Sequence, residues 1–348
     1  MTTVGNLPFR RICKEFGVDV TCGEMAMSGG INSASKSEWA LLKRHESEDL
    51  FGIQLCGKQV QDLGMASELI SQMEMVPDFV DLNLGCPIDL VFKRGMGSAL
   101  MDRKSRLREI SHGLNHILDE SVGMTIKVRM GIESDNPIAH KLLPVVESWG
   151  MYSAATVHGR SRQQRYTKLA DWSYIETCAK ACPTLPIIGN GDVFHWEQVE
   201  KIWSDESSLA TVMIARGALV KPWIFTEIKE KRHWDISSSE RFDMLNKFAR
   251  YGLDHFGSDN MGVAKTRRFL LEWCSFLYRY VPYGLIEVTR PQKMNERPPA
   301  YVGRDELETL MASPYVEDWK TLVGRTLLGP TPDGFEFEPK HKANSYQS

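Results

Sequence analysis

Short apolar runs alternate with amphipathic stretches from Val18 to Ile214, a rhythm that predicts a parallel sheet wrapped by helices. The runs lie at Val18–Thr21, Phe51–Leu55, Phe79–Leu84, Thr125–Arg129, Ala154–His158, Pro186–Gly189 and Leu209–Ile214. Helical spacing covers Gly5–Gly17 ahead of them and Val60–Met75, Ser105–Leu118 and Pro137–Trp149 between them. Several strands carry polar intruders. Gln54 either makes a structural hydrogen bond or points at a ligand. Thr125, Lys127 and Arg129 alternate onto one face of their strand. Two cations in a buried strand are costly unless an anion meets them, so the partner is a sheet carboxylate such as Asp81 or something bound.

The pattern changes near Ser237. Ser237 to Glu240 has the form of a capping box, and Arg241–Phe256, Val263–Tyr280 and Arg304–Ala312 show helical periodicity with no strands between. The expected architecture is α/β: a TIM (β/α)8-type barrel over residues 1–235, a small helical domain over 236–330 and a C-terminal tail over 331–348, loosely held from Glu338. Seven predicted strands are one short of the eight that close such a barrel. The simplest expectation is that the first strand would precede Thr2 and is missing from this sequence.

Composition narrows the function classes. The 348 residues carry a net charge of −3, which gives no general attraction to polyanions; nucleic-acid contacts would have to come from local clusters of arginine and lysine. No apolar run reaches the roughly 18 residues of a membrane span. Seven scattered cysteines suit a reducing compartment, and a start without signal or transit character suggests the cytoplasm or nucleus. Cys178 and Cys182 share a helix face but lack a second pair or nearby histidine, so no metal is expected there.

The chemistry gathers at strand ends. Cys86 follows the run ending at Leu84, inside Gly85-Cys86-Pro87, where a barrel of this type carries its active site. It is read either as a small buried hydrophobe or as a reacting thiol. Gly189-Asn190-Gly191-Asp192 and Ala215-Arg216-Gly217 close the last two predicted strands, where glycines let backbone amides approach a phosphate. Gly159 to Tyr166 is a basic loop holding Arg160, Arg162 and Arg165. Further on, Lys265, Arg267, Arg268, Arg279 and Arg290 interleave with Trp273, Tyr278 and Tyr280, which resembles an RNA-facing surface, although composition alone favours a helix bundle with snorkelling arginines. A phosphate-bearing cofactor, a strand lysine and a cysteine together suggest a flavin enzyme. Lys127 would stabilise anionic reduced FMN, and Cys86 as a thiol would supply a proton.

Asn83-Leu-Gly-Cys-Pro87, Gly95-Met-Gly-Ser-Ala-Leu-Met101, Lys127-Val-Arg129, His158-Gly-Arg160, Gly189-Asn-Gly-Asp192 and Ala215-Arg-Gly217 together resemble the tRNA-dihydrouridine synthases. Arg160 to Trp172, Thr226 to Arg241 and Pro339 to Asn344 resemble the eukaryotic branch acting on the variable-loop uridine at position 47. That branch generally carries CCCH zinc fingers ahead of the barrel, and none occurs here. The resemblance implies FMN-dependent reduction of a uridine C5=C6 bond in tRNA, with mRNA as a further substrate and NADPH or NADH as electron donor. It implies Cys86 as general acid; Thr2, Gln54, Lys127, His158, Asn190, Gly191, Asp192, Ala215 and Arg216 as FMN contacts; and Asn83, Arg129, Arg160, Arg162, Arg165, Lys265, Arg267 and Arg268 toward uracil and RNA. A monomer is expected. Two other readings stand beside it: a flavin barrel reducing a free pyrimidine or enone, and a non-catalytic RNA-binding barrel.

Overall fold

The computed structural model describes residues 2–203, 207–285 and 298–340. Backbone contacts divide the chain into two compact units, one formed by Asp19–Asp192 with Val199–Ile214, the other by the residues before Asp19, Val193–Gln198 and the chain from Ala215 onward.

The first of these is built on one wholly parallel sheet: β1 (Val20–Cys22), β2 (Ala26–Met27), β3 (Leu50–Cys56), β4 (Phe79–Leu84), β5 (Gly123–Arg129), β6 (Ala154–His158), β7 (Ile187–Asn190) and β8 (Thr211–Met213). The strand path is β1-β3-β4-β5-β6-β7-β8, and β2 pairs beside it with Leu55 and Cys56 of β3. Each strand of that path lies next to the one before it. This is the singly wound order of a (β/α) barrel. All seven expected strands are present; the two-residue β2 is too short to leave a hydrophobic pattern. Among the described residues, no pairing joins β8 to β1.

Register explains why the strands mix apolar and polar residues. Gln54 pairs with Asp81 and Asp81 with Thr125; Asn83 pairs with Lys127; Arg129 pairs with His158 and His158 with Asn190. Because side chains alternate along a strand, these polar residues share one face. The other parity, including Phe51, Ile53, Leu55, Val80, Leu82, Leu84, Ile126, Val128, Val157 and Ile187, is fully buried in one apolar cluster. Helices Val60–Ser71, Lys104–Ile117, Ala139–Glu147 and Trp172–Lys180 contribute Leu63, Ile70, Leu107, Ile110, Leu142, Val146 and Ile175 to the same cluster. At roughly 1.5–3 kcal/mol per fully buried aliphatic side chain, this outer layer outweighs the cost of a polar inner face.

The second unit is helical. Helix Leu7–Glu15 begins at Asn6, whose side chain accepts from Phe9 N at 3.1 Å. Ser238–Phe256 begins with the expected capping box of Ser237 and Glu240, and Asn260–Leu277 is capped by Asp259. Trp273 lies at the centre: its Nε1 donates to Leu219 O at 3.0 Å, and its ring meets Phe9 and Phe248 at 5.5 and 5.2 Å. The residues before Asp19 and those from Ala215 to 235 thus pack with the C-terminal helices, although chain order alone grouped them with the strands. Helix Val316–Gly324 was not expected. Phe337 is buried, and in the tail expected to be loosely held from Glu338, Lys340 N donates to both carboxylate oxygens of Glu272 at 3.1 Å. Residues 341–348 lie outside the described residues.

Candidate active site at the strand ends

The polar face forms a connected network. Asp81 accepts from Thr125 Oγ1 and Gln54 Nε2, both at 2.7 Å, and Gln54 Oε1 accepts from Asn83 Nδ2 at 2.8 Å. Burial raises the Asp81 carboxyl above the usual range, while the Thr125 and Gln54 bonds and the charge of Lys127 pull it back down. Gln54 thus makes a structural hydrogen bond at both ends of its amide. Asp81 and Thr125 were not singled out as site residues; the signal was their presence in otherwise apolar strands.

Asn83 turns this network into a brace for Cys86. Its Oδ1 accepts from Gly85 N at 3.1 Å and Cys86 N at 2.9 Å, a local side-chain turn that fixes the backbone just beyond β4. From the other side Ser98 Oγ donates to Cys86 O at 2.9 Å. Gly97 has φ +58°, and a Cβ there would lie 3.0 Å from Cys86 Cβ, so glycine is required. Cys86 itself is buried beside Cys56, Val91 and Met96. Burial raises its thiol pKa, opposed by a hydrogen bond from the Ile88 backbone and by the charge of Arg129. Cys86 is therefore a neutral thiol at neutral pH, suited to giving a proton and poorly suited to acting as a thiolate.

Lys127 donates to Asn190 Oδ1 at 3.0 Å, and Asn190 Nδ2 donates to Met213 O at 2.8 Å. Desolvation, then the nearby Arg129 charge, lower the Lys127 pKa from 10.5 to about 8, with Asp81 opposing. Arg129 is held by main-chain oxygens, Nε on Gly85 O at 2.7 Å and Nη1 on Ser161 O at 3.0 Å. His158 Nε2 is 3.3 Å from Arg160 Nη1; a guanidinium only donates, so Nε2 accepts and the neutral ring carries its proton on Nδ1. Gly191 has φ +136°, and a Cβ there would meet Ala170 Cβ at 2.5 Å and His158 Cδ2 at 3.3 Å. The backbone beside His158 is thus kept bare.

Other expected contacts are placed differently. Arg160 is fully buried, pairing with Asp192 at 2.5 Å and donating to Lys168 O at 2.6 Å. The expectation that it faces RNA phosphates is corrected: the ion pair with Asp192, whose carboxylate also accepts from Ala170 N, ties down the loop after β6. Arg162 and Arg165 do reach solvent and share Asp89, at 2.5 and 3.2 Å. In the helical unit the RNA-facing reading is corrected for Arg267 and Arg279, which are buried with Trp273, Tyr278 and Tyr280. Arg267 holds Gly329 O at 2.9 Å and Leu328 O at 2.8 Å. Helix geometry turned these residues into the bundle, leaving Lys265 and Arg268 exposed. Arg290 lies outside the described residues. Thr2 is exposed, Ala215 precedes helix Arg216–Val220, and Arg216 is buried; all three belong to the helical unit.

The family model for dihydrouridine synthase (Dus) matches residues 1–276, which takes in the whole of this polar face. The chain belongs to the dihydrouridine synthase family. Its parallel sheet is accordingly of TIM-barrel type. It is 56% identical over 347 residues to a human protein named tRNA-dihydrouridine(47) synthase NAD(P)(+)-like, covering all of this chain and 52% of that protein. A rice protein of the same name is 51% identical, with 99% of this chain and 50% of the relative covered. In the fungus Coprinopsis cinerea, a tRNA-dihydrouridine(47) synthase is 50% identical, with all of this chain and 52% of the relative covered. The chain spans about half the length of these relatives.

Residues of the dihydrouridine synthase sheet fit a flavin. A largely desolvated ammonium at Lys127, held by Asn190 Oδ1, favours an adjacent anion such as a reduced flavin.

Proposed function

We propose that the chain reduces the C5=C6 bond of uridine 47 in the tRNA variable loop to 5,6-dihydrouridine, using FMN and NADPH or NADH, with mRNA uridines as further substrates. It acts as a monomer in the cytoplasm or nucleus. No helix among the described residues is long and apolar enough to cross a membrane. The observation that carries the reading is Cys86: a thiol kept protonated by burial, on a backbone clamped by Asn83 just past a strand end.

A bound FMN would supply hydride chemistry toward uracil C6, with a nicotinamide nucleotide as the electron source. Lys127, its ammonium fixed by Asn190, would supply the positive charge that favours an anionic reduced flavin. Cys86 Sγ gives its proton to uracil C5, and the resulting thiolate is stabilised by the charge of Arg129. Gly85 O and Ser161 O hold that guanidinium in place, so no reorganisation is needed as charge develops. The target base has to leave its stack to meet the thiol, at a cost of a few kcal/mol. Partly buried Arg162 and exposed Arg165, in the loop after β6, are the sheet unit's contacts to RNA phosphates, joined by Lys265 and Arg268 of the helical unit.

The test is anaerobic and single-turnover: FMN-loaded protein, NADPH and tRNA lacking dihydrouridine. Cys86→Ala is expected to stay yellow and to oxidise NADPH, while losing dihydrouridine formation by at least about a hundredfold, the low end of general-acid effects. Normal product from Cys86→Ala would remove it from the reaction. Turnover of free uracil without tRNA binding would favour a small-molecule reductase instead, and a colourless protein that binds tRNA would favour a non-catalytic role.

A further inference from the structure

We propose that His195, Glu197 and His233 in the helical unit form a binding site for zinc or a similar late first-row divalent ion, separate from the strand-end chemistry. One donor atom from each of these residues lies within 4.8 Å of the others. Two imidazoles and one carboxylate are the three protein ligands of an open tetrahedral zinc site, with the fourth position left to water. The His233 Nε2 to Glu197 Oε1 distance is 2.6 Å. Bonds of about 2.1 Å to a central ion ask for donor separations near 3.4 Å, so the His233–Glu197 pair opens by a side-chain rotation to admit it.

The frame for such a site is already fixed. The His233 ring stacks on Tyr283 with centroids 4.3 Å apart, and Trp196 meets its edge at 6.1 Å. His195 N donates to Gln198 Oε1 at 3.0 Å, anchoring the turn that carries both His195 and Glu197. The nearby Lys221 cation is neutralised by its own buried partner Glu227, so it does not oppose a second cation. On binding, the His233 ring carries its proton on Nδ1, which frees Nε2 and the Glu197 carboxylate to become ligands. The ion would staple the turn at His195 to the segment at His233.

The experiment is a titration of chelator-stripped full chain with Co2+ and then Zn2+, read by visible absorption and by a competing chromophoric chelator. Wild type is expected to bind one equivalent with a low-coordinate cobalt spectrum free of thiolate-to-cobalt charge transfer. Glu197→Gln and His195→Ala, both at partly exposed positions, are expected to weaken binding at least tenfold with unchanged circular dichroism. Three results would overturn the site: no zinc uptake by wild type, equal affinity in both variants, or a cobalt spectrum dominated by sulfur.

Discussion

Lys127→Met isolates the cost of keeping an ammonium in the sheet interior. The lysine pKa falls from 10.5 to about 8 on folding, chiefly through desolvation. At roughly 1.4 kcal/mol per pH unit this is about 3 kcal/mol of instability borne by the folded chain wherever the lysine is charged. Methionine matches the stem and removes the charge, but it strands Asn190 Oδ1, which now accepts from Nζ at 3.0 Å. That loss is worth about 1–3 kcal/mol, so the variant should be equal to or more stable than wild type at pH 7 by up to about 2 kcal/mol. The pH dependence is cleaner than the absolute value. Between the folded value of about 8 and the unfolded value of 10.5, the unfolded wild-type chain holds more protons than the folded one, so wild-type stability rises with pH. The variant has no such titration. Urea unfolding of the flavin-free proteins at intervals from pH 7 to 9.5 should therefore show wild type gaining on the variant by about 2 kcal/mol, nearly all above pH 8. Groups common to both proteins subtract out. A flat difference would mean that Lys127 is solvated in the folded chain, and its part in holding an anionic flavin would lose its physical basis. The same substitution is expected to weaken flavin retention, a gain of stability at the expense of function.

Asn83→Ala removes the acceptor for Gly85 N and Cys86 N; it should cost about 1–3 kcal/mol in unfolding and slow dihydrouridine formation with flavin still bound, whereas Asn83→Asp, which keeps the acceptor, should recover part of the rate. Arg160→Ala leaves the Asp192 carboxylate without its ion pair and is expected to destabilise the sheet unit by about 3–5 kcal/mol, seen as a large drop in urea midpoint. By contrast, Arg162→Ala with Arg165→Ala should leave stability within about 0.5 kcal/mol, because both pair with the exposed Asp89. The double variant should bind tRNA more weakly and with a salt dependence of log K reduced by up to about 2, one for each lost phosphate contact. An unchanged salt slope would place the RNA elsewhere.

How much could be read in advance differed by residue. The alternation of apolar and polar positions was sufficient for the strands, because burying one face of a parallel sheet against helices forces a period of two. Cys86, Lys127 and His158 were legible for the same reason: a reactive or charged residue closing or interrupting a buried strand is expensive and therefore conspicuous. Periodicity could not say which arginines meet solvent. Arg160, Arg162 and Arg165 share one loop and one chemistry, yet the first is fully buried on Asp192 while the others share Asp89 at the surface, since the partner of each comes from a segment remote in sequence. Arg267 and Arg279 were turned inward by the helices that pack around Trp273.

The sequence by itself thus determined the order of strands and helices, the polar inner positions and the motif around Cys86, because these follow from neighbours along the chain. Only the tertiary structure decided the partners: Gln54 on Asp81, His233 against Glu197, and Lys340 on Glu272. Each such bond joins residues whose proximity is fixed by sheet register or helix packing, so local pattern, which sees only a few residues at a time, has no access to it.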